Sequence, residues 1–326
     1  MAARVFFVGR LMLWIGLAAG LAACTGTPAP NTAPSANTAS APSADSAAAP
    51  SGVREAPPAP PDSATRARFE TVMRMAQARD LHTEPVGQIM QTLGQAFMGA
   101  PYLEHTLDTT PTERLVTRLD GFDCVTFVEA MLAMGRGVAQ RDYSFDGYAQ
   151  RLASQRYRDG AAPSYCARLH YFSEWIADNA RRGTVRDVSA RLGGTRTDRA
   201  LTFMGTHRSA YDRLAANDSL YACIQDMERR LQTRNHSWHV VPQDTIAAVA
   251  DQIQAGDILG LATDIDGLDI AHTGLAFRGE EGTLGMLHAS LSGEVVVSPD
   301  LQRYIQQIDH QIGIVVARPL APTQAQ

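Results

Sequence analysis

The feature that most constrains this chain is a change of texture near residue 235. Upstream, apolar residues recur at helical spacing. Phe69, Val72, Met73 and Met75 form one segment, and Val86, Ile89, Met90, Leu93 and Phe97 form the next, with a break near Leu81 to Pro85. Further helices are predicted near Phe145 to Arg156, Arg168 to Arg181, His207 to Ala215 and Ser219 to Leu231, with Arg114 to Leu119 short and irregular. Downstream, short apolar runs alternate with turn signals: 238–241, 257–262, 270–277, 284–289, 294–297 and 312–317. Connections such as Arg278 to Gly282 and Ser292-Gly293 suit hairpins, so the sheet should be largely antiparallel. Helices gathered before strands predict an α+β fold rather than a doubly wound one.

Between these halves, Asp123-Cys124 opens the apolar run Val125 to Met134. Asp123 is suited to the N-cap, leaving Cys124 at the positive end of the helix dipole, where a nucleophilic thiolate would sit. A helix end supplies at most about 2 kcal/mol. Lowering a thiol pKa from about 8.5 to about 4 takes roughly 6 kcal/mol, so an imidazolium must supply the rest. A buried cysteine is also a serviceable core hydrophobe, and the histidines decide between the two. His272 and His288 lie on consecutive predicted strands, and a hairpin loop around 279–282 sets them near opposite each other, with both rings on one face. If that face packs on the start of the cysteine helix, His272 can exchange a proton with Cys124 while His288 orients it, the logic of a triad.

These segments resemble the NlpC-type papain-like cell-wall hydrolases. The resemblance rests on Gly99-Ala100-Pro101-Tyr102, Asp123-Cys124, Gly256-Asp257-Ile258, His272-Thr273-Gly274 and His288-Ala289-Ser290, in order across about 190 residues. Val125-Thr126 in place of the common Ser-Gly after the cysteine, and a long middle insertion (about 160–235) holding Arg168 to Trp175, look like the N-acetylmuramoyl-L-alanine amidase-like branch. The resemblance implies a nucleophile helix packed on an antiparallel sheet, with Cys124 as nucleophile, His272 as general base then acid, and His288 as orienting member. It implies a peptidoglycan or muropeptide substrate cut between N-acetylmuramic acid and L-alanine. A D-glutamyl-diamino acid endopeptidase of the same superfamily and a non-catalytic wall-binding lipoprotein are the alternatives.

Tyr102 is expected to line the oxyanion pocket or to plug the space under the helix, and Asp123 stands beside the thiol. Arg168, Tyr171, Phe172 and Trp175 fall on one face of the predicted helix. Arg168 is a candidate for substrate carboxylates, Trp175 for a cleft wall or the core, and His207 with Arg208 more weakly for substrate. Asp266 and Asp269 suit turn roles. No Cys spacing indicates zinc, so neither metal nor cofactor is expected. The net charge of −5, without a basic run, gives no reason to expect nucleic-acid binding.

At the N-terminus, Arg4 and Arg10 precede an uncharged stretch, Leu11 to Ala23, too short to span a bilayer and read as a secretory signal (1–23). It ends in Leu21-Ala22-Ala23-Cys24, which resembles the bacterial lipobox and implies lipidation of Cys24 and membrane attachment. Thr25 after it implies the outer membrane, facing the periplasm. Residues 24–62, rich in Ala, Pro, Ser and Thr, cannot bury a core and form a tether reaching roughly 35 Å as a coil or about 120 Å as polyproline. The folded domain is expected over 63–319, with 320–326 a tail. Cys166 and Cys223 remain, either as a disulfide or as two separate buried thiols.

Overall fold

The computed structural model describes residues 62–279 and 282–322. The signal, Cys24 and the tether up to residue 61 lie outside the described residues, as do 323–326.

The elements in chain order are α1 (Ser63–Ala78), α2 (Val86–Gln95), α3 (Cys124–Ala139), α4 (Phe145–Arg156), α5 (Phe172–Arg181), β1 (Val185–Asp187), β2 (Thr195–Thr197), α6 (Phe203–Thr206), α7 (Asp212–Ala215), α8 (Asp218–Thr233), β3 (Trp238–Pro242), α9 (Ile246–Val249), β4 (Ile258–Thr263), β5 (Ile270–Arg278), β6 (Leu284–Ala289), β7 (Val295–Ser298), α10 (Leu301–Gln306) and β8 (Gln311–Pro319). One sheet runs β2-β3-β8-β4-β5-β6-β7, with β1 added against β8. Every pairing is antiparallel. The α+β expectation holds, and each expected strand is present.

Helix α3 is the hub. Residues 126 to 135 are all buried, as expected of a helix apolar on every side. It packs against α2, α4 and the β5–β6 part of the sheet. Leu275, Leu287 and Ala289 share the core with α3 residues. Ala276, Met286, Leu259 and Leu261 belong to a second core on the other side, closed by Leu301 and Ile305 of α10. Alternation along the strands thus assigns odd positions of β5 and β6 to the α3 side and even positions to the α10 side.

The Gly256-Asp257-Ile258 landmark has a structural role. Gly256 takes φ 72°, and a β-carbon there would meet the Gly87 carbonyl, so α2 and the start of β4 touch backbone to backbone. Asp257, buried, accepts from Arg318 Nε (2.9 Å) and Nη2 (2.8 Å) and from the Gln254 amide (2.8 Å).

Three expectations need correction. The helix predicted from Arg168 starts at Phe172, because the preceding segment bridges Tyr157 and Cys166 is disulfide-bonded to Cys223. Arg168 and Trp175 therefore share no helical face. The helix expected over His207 to Ala215 is two single turns, a 3-10 turn at Arg208–Ala210 and α7. The β5–β6 register also differs, with Leu275 opposite Leu287, so that His288 stands beside Gly274 and diagonal to His272.

Candidate active site

Cys124 begins α3 behind a complete capping box. Asp123 Oδ1 accepts from the Thr126 amide (2.7 Å), while Thr126 Oγ1 accepts from the Asp123 amide (3.0 Å). The Thr106 hydroxyl donates to Asp123 Oδ2 (2.6 Å), so the carboxylate is occupied on both oxygens. Thr126, the second of the two residues that depart from the common pattern, is buried and spent on the cap. The Gly99 to Tyr102 segment is held from two sides. Gly99 N donates to Val295 O and Tyr102 N to Gly293 O, and Tyr102 also bridges Phe122, just before the helix. This sets the Tyr102 ring beside the thiol. Burial raises its pKa, with the negative forms of Cys124 and Asp123 adding.

His272 Nε2 and His288 Nδ1 are 2.7 Å apart, with the rings edge to face at 4.9 Å. His288 Nε2 reaches Ser298 Oγ at 3.1 Å, and the Tyr304 ring of α10 lies 5.0 Å from the His288 ring. Gly274 makes the diagonal contact possible, since a β-carbon there would meet His288 Cβ at 2.8 Å. Both histidines occupy even positions, on the α10 side of the sheet. The residue of β5 facing α3 is Thr273, and its hydroxyl is buried without a hydrogen-bond partner. The expectation that the histidine face packs on α3 is thus modified. The β5–β6 ladder covers only 275–278 on β5, so His272 and Thr273 stand past its end, with Thr273 beside the thiol and His272 the next residue along the strand. A bulge between Leu261 and Ala262 re-aims this start of β5. Tyr304, against the His288 ring, is also raised to about 12, first by burial and then by Cys124.

No hydrogen bond joins Cys124 to His272 in this structure, and the His272 nitrogen left free by His288 is Nδ1. Burial pushes the Cys124 thiol up to about 11. The Asp123 carboxylate adds to this, and the Thr273 and Val125 amides, with the Thr273 hydroxyl near enough to turn towards a thiolate, work against it. Burial likewise pushes His272 down to about 3, with His288 adding, and His288 down to about 4. Burial thus works against the charged thiolate and imidazolium expected from the sequence and favours the neutral forms of both.

Other expected substrate residues lie elsewhere. Arg168 is buried in an ion network with Asp108 (2.7 Å) and Glu113 (3.5 Å), over the Tyr165 ring, and is not free for a substrate carboxylate. Trp175 is core, stacked on Phe172 and donating to Glu129 (3.2 Å). His207 is exposed, stacked on Phe203, whose amide is tied to Gly267 in the turn leading to β5. Arg208 donates to the Leu214 carbonyl and pairs with Asp218. Asp269 is buried and accepts from the Ser173 amide (2.7 Å), acting as an N-terminal cap for α5 rather than a turn residue. Cys166 and Cys223 form a disulfide, leaving Cys124 as the free cysteine among the described residues. Sequence reasoning missed Ser298, Tyr304 and the role of Thr273. Asp300 as an N-cap followed by Leu301, Tyr304 and Ile305 at helical spacing was the available signal for α10.

A capped helix carrying a lone thiol, packed on an antiparallel sheet that carries paired imidazoles, places the molecule among α+β proteins built like amidases. The chain belongs to the AmiA-like, N-acetylmuramoyl-L-alanine amidase-like family, whose model matches residues 92–314. A crystal structure of an N-acetylmuramoyl-L-alanine amidase from Bacteroides uniformis is similar, at 31% identity over 72% of this chain and 99% of that one, with TM-score 0.67. A Bacteroides fragilis protein whose name proposes xylanase activity is 34% identical over 69% of this chain and 98% of that one, with TM-score 0.63. A Legionella pneumophila protein, 19% identical over 80% of this chain and 97% of its own, shares the fold at TM-score 0.60. No curated protein matches the chain.

Proposed function

We propose that the protein is a cysteine-dependent cell-wall amidase with a papain-like NlpC-type core, cutting the amide between the lactyl group of N-acetylmuramic acid and L-alanine. The observation that carries this reading is the Cys124 thiol at the capped start of α3, against Thr273 of the strand whose neighbouring residue, His272, is hydrogen-bonded to His288. Family membership supports the choice of bond.

Because burial disfavours both charged forms, the proton moves as the bond forms rather than beforehand. Cys124 Sγ attacks the amide carbonyl carbon while its proton passes to His272 Nδ1, a contact of the kind that tightens only with substrate bound. The Cys124 backbone amide at the helix N-terminus and the Tyr102 hydroxyl face the oxygen that gains charge. His272 then returns the proton to the leaving alanine nitrogen, the C–N bond breaks, and water, with His272 as base, hydrolyses the thioester. A xylanase would need two carboxyl groups flanking the scissile bond. Here the carboxylate nearest the thiol, Asp123, is occupied by Thr106 and Thr126.

The endopeptidase reading gains one observation. Thr126 serves the capping box, which accounts for its departure from the common pattern and leaves Val125, in place of the serine, as the departure that bears on substrate. Digestion of a disaccharide tetrapeptide decides between them. Free disaccharide plus intact tetrapeptide is the expected result, and a disaccharide still carrying L-Ala-D-Glu overturns the amidase assignment.

Cys24 lipidation, the tether over 24–62, a domain over 63–319 with its insertion at about 160–235, and an outer-membrane position facing the periplasm belong to the same proposal. They rest on the sequence alone. Globomycin-sensitive processing, abolished by Cys24→Ala, is the expected result for the anchor.

A further inference from the structure

We propose that Ser298 is a fourth member of the site, a positioning residue that holds the proton of His288 on Nε2 and thereby fixes the tautomer of His272. This rests on the thiol mechanism above and deepens it.

The argument follows the protons. A neutral imidazole has one donor nitrogen and one acceptor nitrogen. For His272 to take a proton from Cys124 it must present a bare Nδ1, so its own proton sits on Nε2. That nitrogen lies 2.7 Å from His288 Nδ1, which must therefore accept and be bare. The His288 proton is then on Nε2, 3.1 Å from Ser298 Oγ, which accepts it. Given a bare His272 Nδ1, each assignment follows from the one before, and the Ser298 hydroxyl, able to donate or accept, takes the acceptor role at the end. The chain ends at Ser298, whose side chain makes no other hydrogen bond among the described residues. When His272 is protonated during attack its Nε2–H still donates to His288, so the same direction serves the charged intermediate.

The surroundings leave His288 few alternatives. Its ring lies against Tyr304 and its backbone against Gly274, and the residue is fully buried. A buried Nε2–H without an acceptor costs roughly 1–3 kcal/mol. With Ser298 gone, the Nε2–H tautomer of His288 loses its acceptor, and both rings can exchange to the tautomers in which His272 Nδ1 carries hydrogen and cannot act as base. Ser298 is placed for this by the last position of β7, whose partner Met286 keeps it on the α10 side of the sheet with His288.

Two measurements test this. Nitrogen-15 NMR of the substrate-free wild-type domain is expected to show His288 protonated at Nε2 and bare at Nδ1. Ser298→Ala is expected to mix the two tautomers and to lower kcat about tenfold with KM within about twofold, the signature of a group acting on the reaction step. Ser298→Thr, which keeps the hydroxyl, is expected to restore both. A wild-type His288 carrying its proton on Nδ1 overturns the proposal, as does unchanged kcat in Ser298→Ala or an equal loss in the Ala and Thr variants. Cys124→Ala assayed alongside separates the two levels. If it retains activity, the thiol mechanism fails, while the wild-type nitrogen-15 pattern still decides where the His288 proton lies.

Discussion

Two buried polar clusters touch the first turns of α3, and they are built on opposite principles. Five residues past Cys124, Glu129 is buried against Arg156 (2.7 Å), accepts from the Trp175 indole (3.2 Å), and so has a counter-ion and a donor of its own. Arg168 and Arg213 of the insertion repeat this pattern with Asp108 and Glu113 of the segment before α3, where each buried arginine meets an opposite charge. At the thiol there is no such compensation. His272 and His288 have no carboxylate partner, Thr273 Oγ1 is an orphan, and the nearest carboxylate, Asp123, raises the thiol rather than balancing it. Compensated clusters hold a fold together, whereas uncompensated titratable groups cost stability and persist where chemistry uses them.

The largest effect should come from the uncompensated side. Cys124→Ala is expected to drop turnover to background, a loss of three or more orders of magnitude, about 4 kcal/mol at the barrier. Its melting temperature should stay close to that of the parent, because the thiol balances no charge. Muropeptide turnover together with thermal unfolding checks both, and a variant that unfolds would mean the cysteine is a core residue after all.

Breaking the compensated side should reverse that pattern. Arg156→Met strands the buried Glu129 and is expected to cost roughly 3–5 kcal/mol of stability. Adding Glu129→Leu should recover most of it, since an ion pair replaced on both sides by apolar residues is often neutral. Chemical denaturation of the single and double variants measures this coupling.

The contrast extends to pH. His272 and His288 are held near 3 and 4 in the folded protein, against about 6.5 when unfolded. The unfolded chain therefore binds their protons first, and stability falls as pH drops from about 6.5 towards 4, by on the order of a few kcal/mol. Buried carboxyls such as Glu129, raised by burial, act in the opposite sense. They are common to parent and variant, so the difference between the wild type and a His272→Gln/His288→Gln protein isolates the histidine part. Equal acid sensitivity in the two would show that the imidazoles are not held neutral.

The compensated scaffold was more legible in the sequence than the site it supports. The longer strands and the Asp123-Cys124 helix start followed from periodicity and capping, which are local. What failed was non-local. The β5–β6 register depends on the path of the loop after Arg278, and shifting it turned an opposed pair of histidines into a diagonal one across Gly274. Arg168 carries the same guanidinium whether it meets substrate or Asp108, and only the fold brings Asp108 to it. β1 and β2, three residues each, are too short to show alternation. Ser298 was invisible because a serine at a strand end has no signature until a histidine is found 3.1 Å away.

The smallest expected effect probes the orphan itself. Thr273→Val keeps the shape of the side chain and removes a buried hydroxyl that has no hydrogen-bond partner. Were the hydroxyl structural, its loss would destabilise the protein. As an unpartnered group it carries a desolvation cost, so stability should hold or rise by up to about 1 kcal/mol. The same substitution removes one of the groups that oppose the upward push on the Cys124 thiol. Alkylation of Cys124 by iodoacetamide at a fixed pH near 8 should therefore slow severalfold, because the reaction proceeds through the thiolate. A slower, equally stable or more stable protein places Thr273 with the uncompensated groups of the site. A destabilised protein with unchanged alkylation would move it to the scaffold and narrow the site to the thiol and the imidazole chain.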